Sequence, residues 1–395
     1  MLFDSGIDYY SLSNPIIYLL SESINLIFCS IFVLAFFLLK KISSVETIFW
    51  IFLFLLAFVI NLVINQNQFP DIGGYLRCVR DLRDNFYFDE LGCQLIQSGG
   101  EDNLTLYSFK RGLPAIIYSL IPMPSIATFS SIGLINKLYI FFIYVFLKPY
   151  IPLQRNIIIL AILMVLPSVL LYSSLGLRDN LIFCTQILLV FSIVKRHFLL
   201  STILLIILSA IKIQNGIVFS FLYLGVFIFQ ADKNFKALYF YCILVFFAML
   251  IMGDVLLATL NYFKLAFLNE DNAIANINSF VPFKSVIELV IASPLSFFEG
   301  LIRPFPLSLS YGIFFIESIL QIFIIALLLK TYKKNDFYNP QFLIIFLTFF
   351  MGIVLNSLVI ENDFTYVRYK YTFIYMFIIY LLVDKNEFKN HSLKL

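Results

Sequence analysis

Tyr172-Ser173-Ser174-Leu175-Gly176-Leu177-Arg178-Asp179-Asn180 is a polar knot set between two apolar runs, Asn156–Leu171 and Leu181–Val194. A charge at membrane depth is costly, so an ionisable pair in such a place is a functional candidate by default. The competing reading is that Arg178 and Asp179 simply mark a helix turn at the membrane surface. Asp179 and Asn180 are good N-cap types for the helix that follows. The amides of that helix start attract anions, and a guanidinium beside them adds a paired donor.

The composition supports a membrane setting for the knot. Hydrophobic residues make up 61% of the 395 and charged residues 13%, against a charged share of about 25% in a soluble domain. The chain therefore reads as a polytopic membrane protein. Its net charge of +3 is too small to point to nucleic acid. Residues 1–14 lack a basic start and contain Asp4 and Asp8, so no cleavable signal is expected.

A membrane span needs about 20 apolar residues, fewer where the protein thins the bilayer. About eleven segments qualify, near 16–39, 45–64, 126–147, 156–173, 180–194, 198–211, 215–229, 237–259, 311–330, 341–360 and 371–384. The expectation is an all-α helix bundle forming a single domain over 1–395, with long outer loops at 65–113 and 260–310. Alternate connections put Lys40, Lys41, Lys148, Arg155, Lys195, Arg196, Lys330, Lys333 and Lys334 on one side, which is the cytoplasm by the positive-inside rule. The amino terminus is then outside, the carboxyl terminus inside, and Arg178 faces outward.

The outer loops hold the remaining candidates. The first opens with Phe69-Pro70-Asp71-Ile72-Gly73-Gly74-Tyr75, which reads as a turn from its proline and glycines. Arg77, Arg80 and Arg83 follow, sharing one face if helical; they are either a solvated helix with local ion pairs or a cationic face toward an anionic substrate. Cys78 and Cys93 lie in the same loop, where an oxidising compartment permits a disulfide. Phe109–Pro124 is too short to span and reads as interfacial. Lys137, inside a span, either faces a protein cavity or snorkels. Lys212-Ile213-Gln214-Asn215-Gly216 is a second polar hairpin on the outer side. Arg303, between Phe297-Phe298-Glu299 and Pro304-Phe305-Pro306, sits on a stiff element. Arg368 and Lys370 lie outside against the positive-inside trend, beside Glu361 and Asp363, which offer them local ion pairs. Tyr75 and Tyr366 are placed to stack on sugar rings or to anchor at the interface. The charge pattern contains no P-loop, dinucleotide fingerprint or outer histidine.

Taken in order, Pro70-Asp71 with Tyr75, Lys110-Arg111-Gly112-Leu113-Pro114, Asn136-Lys137, Gly176-Leu177-Arg178-Asp179-Asn180, Arg303-Pro304-Phe305-Pro306 and Arg368-Tyr369-Lys370 resemble the O-antigen polymerases of Wzy type and the related EpsG-like exopolysaccharide polymerases. That resemblance covers about residues 70 to 375. It departs at Lys212–Asn215, where many exopolysaccharide polymerases carry a histidine. The resemblance implies a GT-C-like membrane glycosyltransferase of the bacterial inner membrane. Its substrates would be oligosaccharide repeats on undecaprenyl diphosphate at the periplasmic face, with no soluble cofactor or metal and with a chain-length regulator protein as a possible partner. Arg178, Arg303, Arg368, Lys370 and Lys137 would hold the diphosphate, and Asp71 or Asp179 would act as base. A lipid-linked oligosaccharide flippase is the alternative, and it calls for internal repeats and a charged central path.

Overall fold

The computed structural model describes residues 15–64, 70–85, 109–126, 128–151, 154–232, 240, 241, 243, 247, 251, 253–270, 281–306, 309–332 and 340–383. Among these the regular elements are helices and none is a strand. The chain is thus an all-α, multi-pass membrane bundle, as expected where hydrocarbon forces each segment to satisfy its own backbone. Packing divides it into two compact units, Met1–Thr185 with Ile206–Ile213 and Gln186–Leu205 with Gln214–Leu395. The sequence expectation is a single domain over 1–395; the divisions between these packing units fall inside apolar helices, where no polar linker marks them.

The first unit opens with a hairpin of α1 (Pro15–Leu38) and α2 (Ser44–Val63). Helix α1 closes in a Schellman motif: Lys41 N–H donates to Phe36 O (3.0 Å) and Lys40 N–H to Phe37 O (2.8 Å), with Lys40 left-handed at φ 57°. Helix α2 starts at once with a capping box between Ser43 and Glu46. Its buried residues Thr47, Trp50, Phe54, Ala57 and Asn61 recur every three or four positions, so one stripe faces inward. They pack on α5 (Phe129–Leu147), with Trp50 5.1 Å from Phe141 and 5.2 Å from Tyr144 between ring centroids. Helix α5 is the centre of the unit: 78% of its span is buried, against 28% and 33% for α1 and α2.

Two further helices occupy the expected first outer loop, α3 (Pro70–Asn85) and α4 (Phe109–Ser119). The Pro70–Tyr75 stretch is therefore a helix start and not a turn. Proline suits the first helical position because its missing N–H has no partner there in any case. The two helices pack together through an edge-on contact of Tyr75 with Tyr118 at 6.3 Å, so Phe109–Ser119 is fastened to protein and not merely laid in the interface. Next come α6 (Gln154–Val165) and α7 (Pro167–Ser174), bent by 58° at Leu166. Pro167 supplies the cause, since it cannot donate to the preceding turn. After α7 the knot leads into α8 (Asp179–Val194), followed by α9 (Phe198–Ile211).

The second unit contains α10 (Ile213–Asp232), α11 (Gly253–Glu270), α12 (Val286–Ile302), α13 (Leu309–Leu329), α14 (Pro340–Val359) and α15 (Asp363–Leu382). Helix α15 is its axis, buried almost throughout from Tyr366 to Leu382. Gly352 lets α14 approach so closely that an added Cβ would lie 2.2 Å from the Phe373 ring, and Phe349 stacks on Phe377 at 4.6 Å. The expected outer connection 361–371 is mostly the first turns of α15. Asn362 caps that helix, accepting from Phe364 N and Thr365 N, and Asp363 favours the positive helix start.

The sequence expectation is about eleven spans. Among the described residues five helices are long and apolar enough to cross a membrane, or six if the bent α6–α7 pair is one span. Segments 180–194, 198–211 and 215–229 correspond to shorter apolar helices, and most of 237–252 lies outside the described residues. The expected second outer loop, 260–310, is largely helix: α11 runs to Glu270 and α12 fills Val286–Ile302.

Candidate functional site

The knot is wholly buried from Tyr172 to Asn180. Its carbonyls, which the end of α7 leaves without helical partners, are held by side chains from three other helices. Asn61 on α2 donates to Ser174 O (2.6 Å), Asn136 on α5 to Leu175 O (2.6 Å) and Leu177 O (2.9 Å), and Tyr118 on α4 also to Leu177 O (2.9 Å). Asn180 returns a bond to Asn136 O (2.9 Å). Gly133 makes the approach possible: an added Cβ would sit 2.0 Å from Ser174 O. The carbonyls are thus drawn toward α5, and Arg178 and the start of α8 follow directly in the chain.

Around that start the first unit buries three cations, Lys137, Arg178 and Lys212, together with Asp179. Lys137 donates to Ser173 Oγ (2.6 Å) and Arg178 Nη1 to Ile211 O (3.3 Å). Asp179 is fully buried. Buried charge of this density is expensive and is kept where function uses it. The knot packs at Gly133, in the first turn of α5, whereas Lys148 follows the last turn of that helix. Fifteen residues at 1.5 Å each separate them by about 22 Å. At the Lys148 end, Lys148 Nζ lies 2.6 Å from Glu46 and 3.2 Å from Lys41 O, so three of the lysines assigned to one side do share one end of the unit.

The remaining first-unit candidates vary in fate. Tyr75 is buried against Tyr118 and has no open face to offer a sugar. Asp71 lies in the first turn of α3, and its side chain is outside the described residues. Arg77 and Arg80 are half-buried on α3, while Arg83 donates to Met123 O (2.8 Å) and to Ile121 O. Arg83 is thus a brace between α3 and the segment after α4. Cys78 is disulfide-bonded; Cys93, its expected partner, lies outside the described residues.

In the second unit, Arg303, Lys370, Tyr366 and Asp363 come together. Arg303 ends α12 and turns its guanidinium onto the α14–α15 corner, donating to Asp363, to Ile360 O (2.7 Å) and to Glu361 O. Its Cζ lies 4.9 Å from the Tyr366 ring centre, and Tyr366 donates its hydroxyl to Gly300 O (2.8 Å). Lys370 donates to Leu301 O (2.9 Å), Ser318 Oγ (2.8 Å) and Arg303 O. An ammonium has three N–H groups, so Lys370 is fully engaged by protein. Arg303 and Lys370, both expected to hold a diphosphate, are thus engaged in holding the corner. Tyr366 is buried and likewise engaged. Arg368 is half-buried, with its Cζ 5.6 Å from the Tyr369 ring.

Arg178 and Lys137 belong to the first unit and Arg303, Arg368 and Lys370 to the second. One buried carboxylate escaped the sequence reading: Glu22 on α1 accepts from Ser131 Oγ (2.7 Å) and from Thr128 Oγ1 at the start of α5. An acidic residue inside an apolar run was signal enough to find it. Among the described residues no cluster of three or more histidine, cysteine or carboxylate side chains could hold a metal ion. No family model, curated protein or solved structure matches the chain.

Proposed function

We propose that the chain is a membrane glycosyltransferase of polysaccharide-polymerase type, joining oligosaccharide repeats carried on undecaprenyl diphosphate at the periplasmic face of the inner membrane. The observation that carries the reading is the buried Arg178–Asp179 start of α8, with Lys137 and Lys212 also buried in that unit. A guanidinium and helix-start amides favour a diphosphate, and the adjoining carboxylate suits a general base. Placement of the knot at the end of α5 opposite Lys40, Lys41 and Lys148 agrees with an outward-facing site under the positive-inside rule.

In this reading a sugar hydroxyl of one lipid-linked repeat attacks the anomeric carbon of the chain held on another. The carbon–oxygen bond to the lipid diphosphate breaks, and the diphosphate leaves with the electron pair. Asp179, or Asp71, takes the hydroxyl proton. Fixed cations stabilise charge gathering on the leaving group, and the energy comes from the donor's own phosphate ester. Arg303 and Lys370 contribute by fixing the α12–α15 corner, and Arg368 remains the second unit's candidate phosphate contact. Arg178→Ala and Arg178→Lys, assayed with purified protein on synthetic undecaprenyl-diphosphate repeats, test the assignment. Long products vanish in the first and stay strongly reduced in the second, because lysine lacks the planar fork; normal product ladders from both variants refute it.

The flippase alternative draws support from one feature, the buried charges Glu22, Lys137, Glu317 and Lys370 within apolar helices. It predicts translocation of single repeats across vesicles with no change in their length.

A further inference from the structure

We propose that a hollow at the Lys40 end of the first unit seats the headgroup of an anionic membrane phospholipid. The hollow measures about 580 Å³ and is lined by Phe37, Leu38, Lys40, Ile42, Ser43 and Lys148. It opens where α1 ends, α2 begins and α5 ends, the level at which a spanning helix passes from hydrocarbon to water. Phe37, Leu38 and Ile42 give it apolar walls for the glycerol and upper acyl region, and Lys40, Lys148 and the Ser43 hydroxyl give it polar contacts for a phosphodiester. Among the described residues the carboxylate paired at this lysine-rich end is Glu46, which lies 2.6 Å from Lys148. The surplus positive charge complements an anionic headgroup, and the apolar walls at helix-end depth select a phospholipid over a free anion.

The backbone singles out Lys40. It stands at the left-handed position of the Schellman cap, with φ 57°, where glycine carries no steric penalty and other residues are strained. A lysine thus stands here against the local preference, exposed and lining the hollow. Arg196 closes α8 in the same way, at φ 64°, with His197 N–H donating to Ser192 O at 2.9 Å. It provides a matched control that lines no part of this hollow.

The test titrates the detergent-purified full chain with dioctanoyl phosphatidylglycerol, dioctanoyl phosphatidylcholine or inorganic phosphate, following the thermal unfolding midpoint. The wild type responds to phosphatidylglycerol at lower concentration than to phosphatidylcholine and does not respond to phosphate. Lys40→Gly keeps or raises the lipid-free midpoint, because glycine relieves the strain at the cap, while its half-saturating phosphatidylglycerol concentration rises about fivefold, the worth of one lysine near a charged surface. Arg196→Gly leaves that concentration unchanged. Equal response to the two lipids, a response to phosphate alone, an unaltered Lys40→Gly titration, or an equal loss in both glycine variants overturns the proposal.

Discussion

Replacing Gly133 by alanine tests whether the knot is held as tightly as its geometry implies. The new Cβ would meet Ser174 O at 2.0 Å and Asn61 Nδ2 at 2.9 Å, so the chains must part by about 1.4 Å to restore ordinary contact. Ser174 O accepts the Asn61 amide at 2.6 Å, and a displacement of that size breaks the bond. Loss of a buried bond costs about 1–3 kcal/mol, overpacking adds about 1–3 kcal/mol, and the better helix propensity of alanine returns up to about 1 kcal/mol. A net loss of roughly 3 kcal/mol lowers the unfolding midpoint by about 6–12 °C at the sensitivity of a 150–250-residue domain. Differential scanning fluorimetry at one scan rate reads it, with Gly312→Ala as control, since nothing lies within 4 Å of a Cβ there. If Gly133→Ala melts with the wild type, the close approach of α5 to the knot is wrong, and with it the argument that Asn61, Asn136 and Tyr118 shape the turn.

Arg303→Lys keeps the charge but removes the fork that serves Asp363, Ile360 O and Glu361 O, so it should destabilise by about 1–3 kcal/mol through the main-chain acceptors it leaves unpaired. Rescue of the wild-type midpoint by lysine would show that only charge matters at this corner. Lys148→Met breaks the pair with Glu46, whose side chains are 23% and 15% exposed. That change should cost at most about 1 kcal/mol, and a larger drop in midpoint would mean the pair holds the hairpin to α5.

The fold class was legible because hydropathy is a one-dimensional property, and the knot because a charged pair between two apolar runs has few innocent explanations. The partners of the knot were not legible. Asn61, Tyr118 and Gly133 lie far along the chain from the carbonyls they serve, and a backbone acceptor has no sequence signature. The same limit hid the duty of Arg303 and Lys370, whose acceptors are mostly main-chain oxygens. Pro70-Asp71-Ile72-Gly73-Gly74 was misread because proline and glycine serve a turn and a helix entry alike, and only the burial of Tyr75 and Leu76 distinguishes them. The division into packing units has no sequence signature, because it interrupts neither hydropathy nor helix.

The break at Leu166–Pro167 fixes how deep the polar turn lies. Helix α7 has 8 residues, about 12 Å of rise at 1.5 Å each. Tilted 58° from α6, it climbs only about 6 Å along that axis. The turn is therefore set back by roughly the same 6 Å relative to an unbent segment, and under the proposed function a lipid-borne diphosphate would have to sink that far, shedding water as it descends, to reach Arg178.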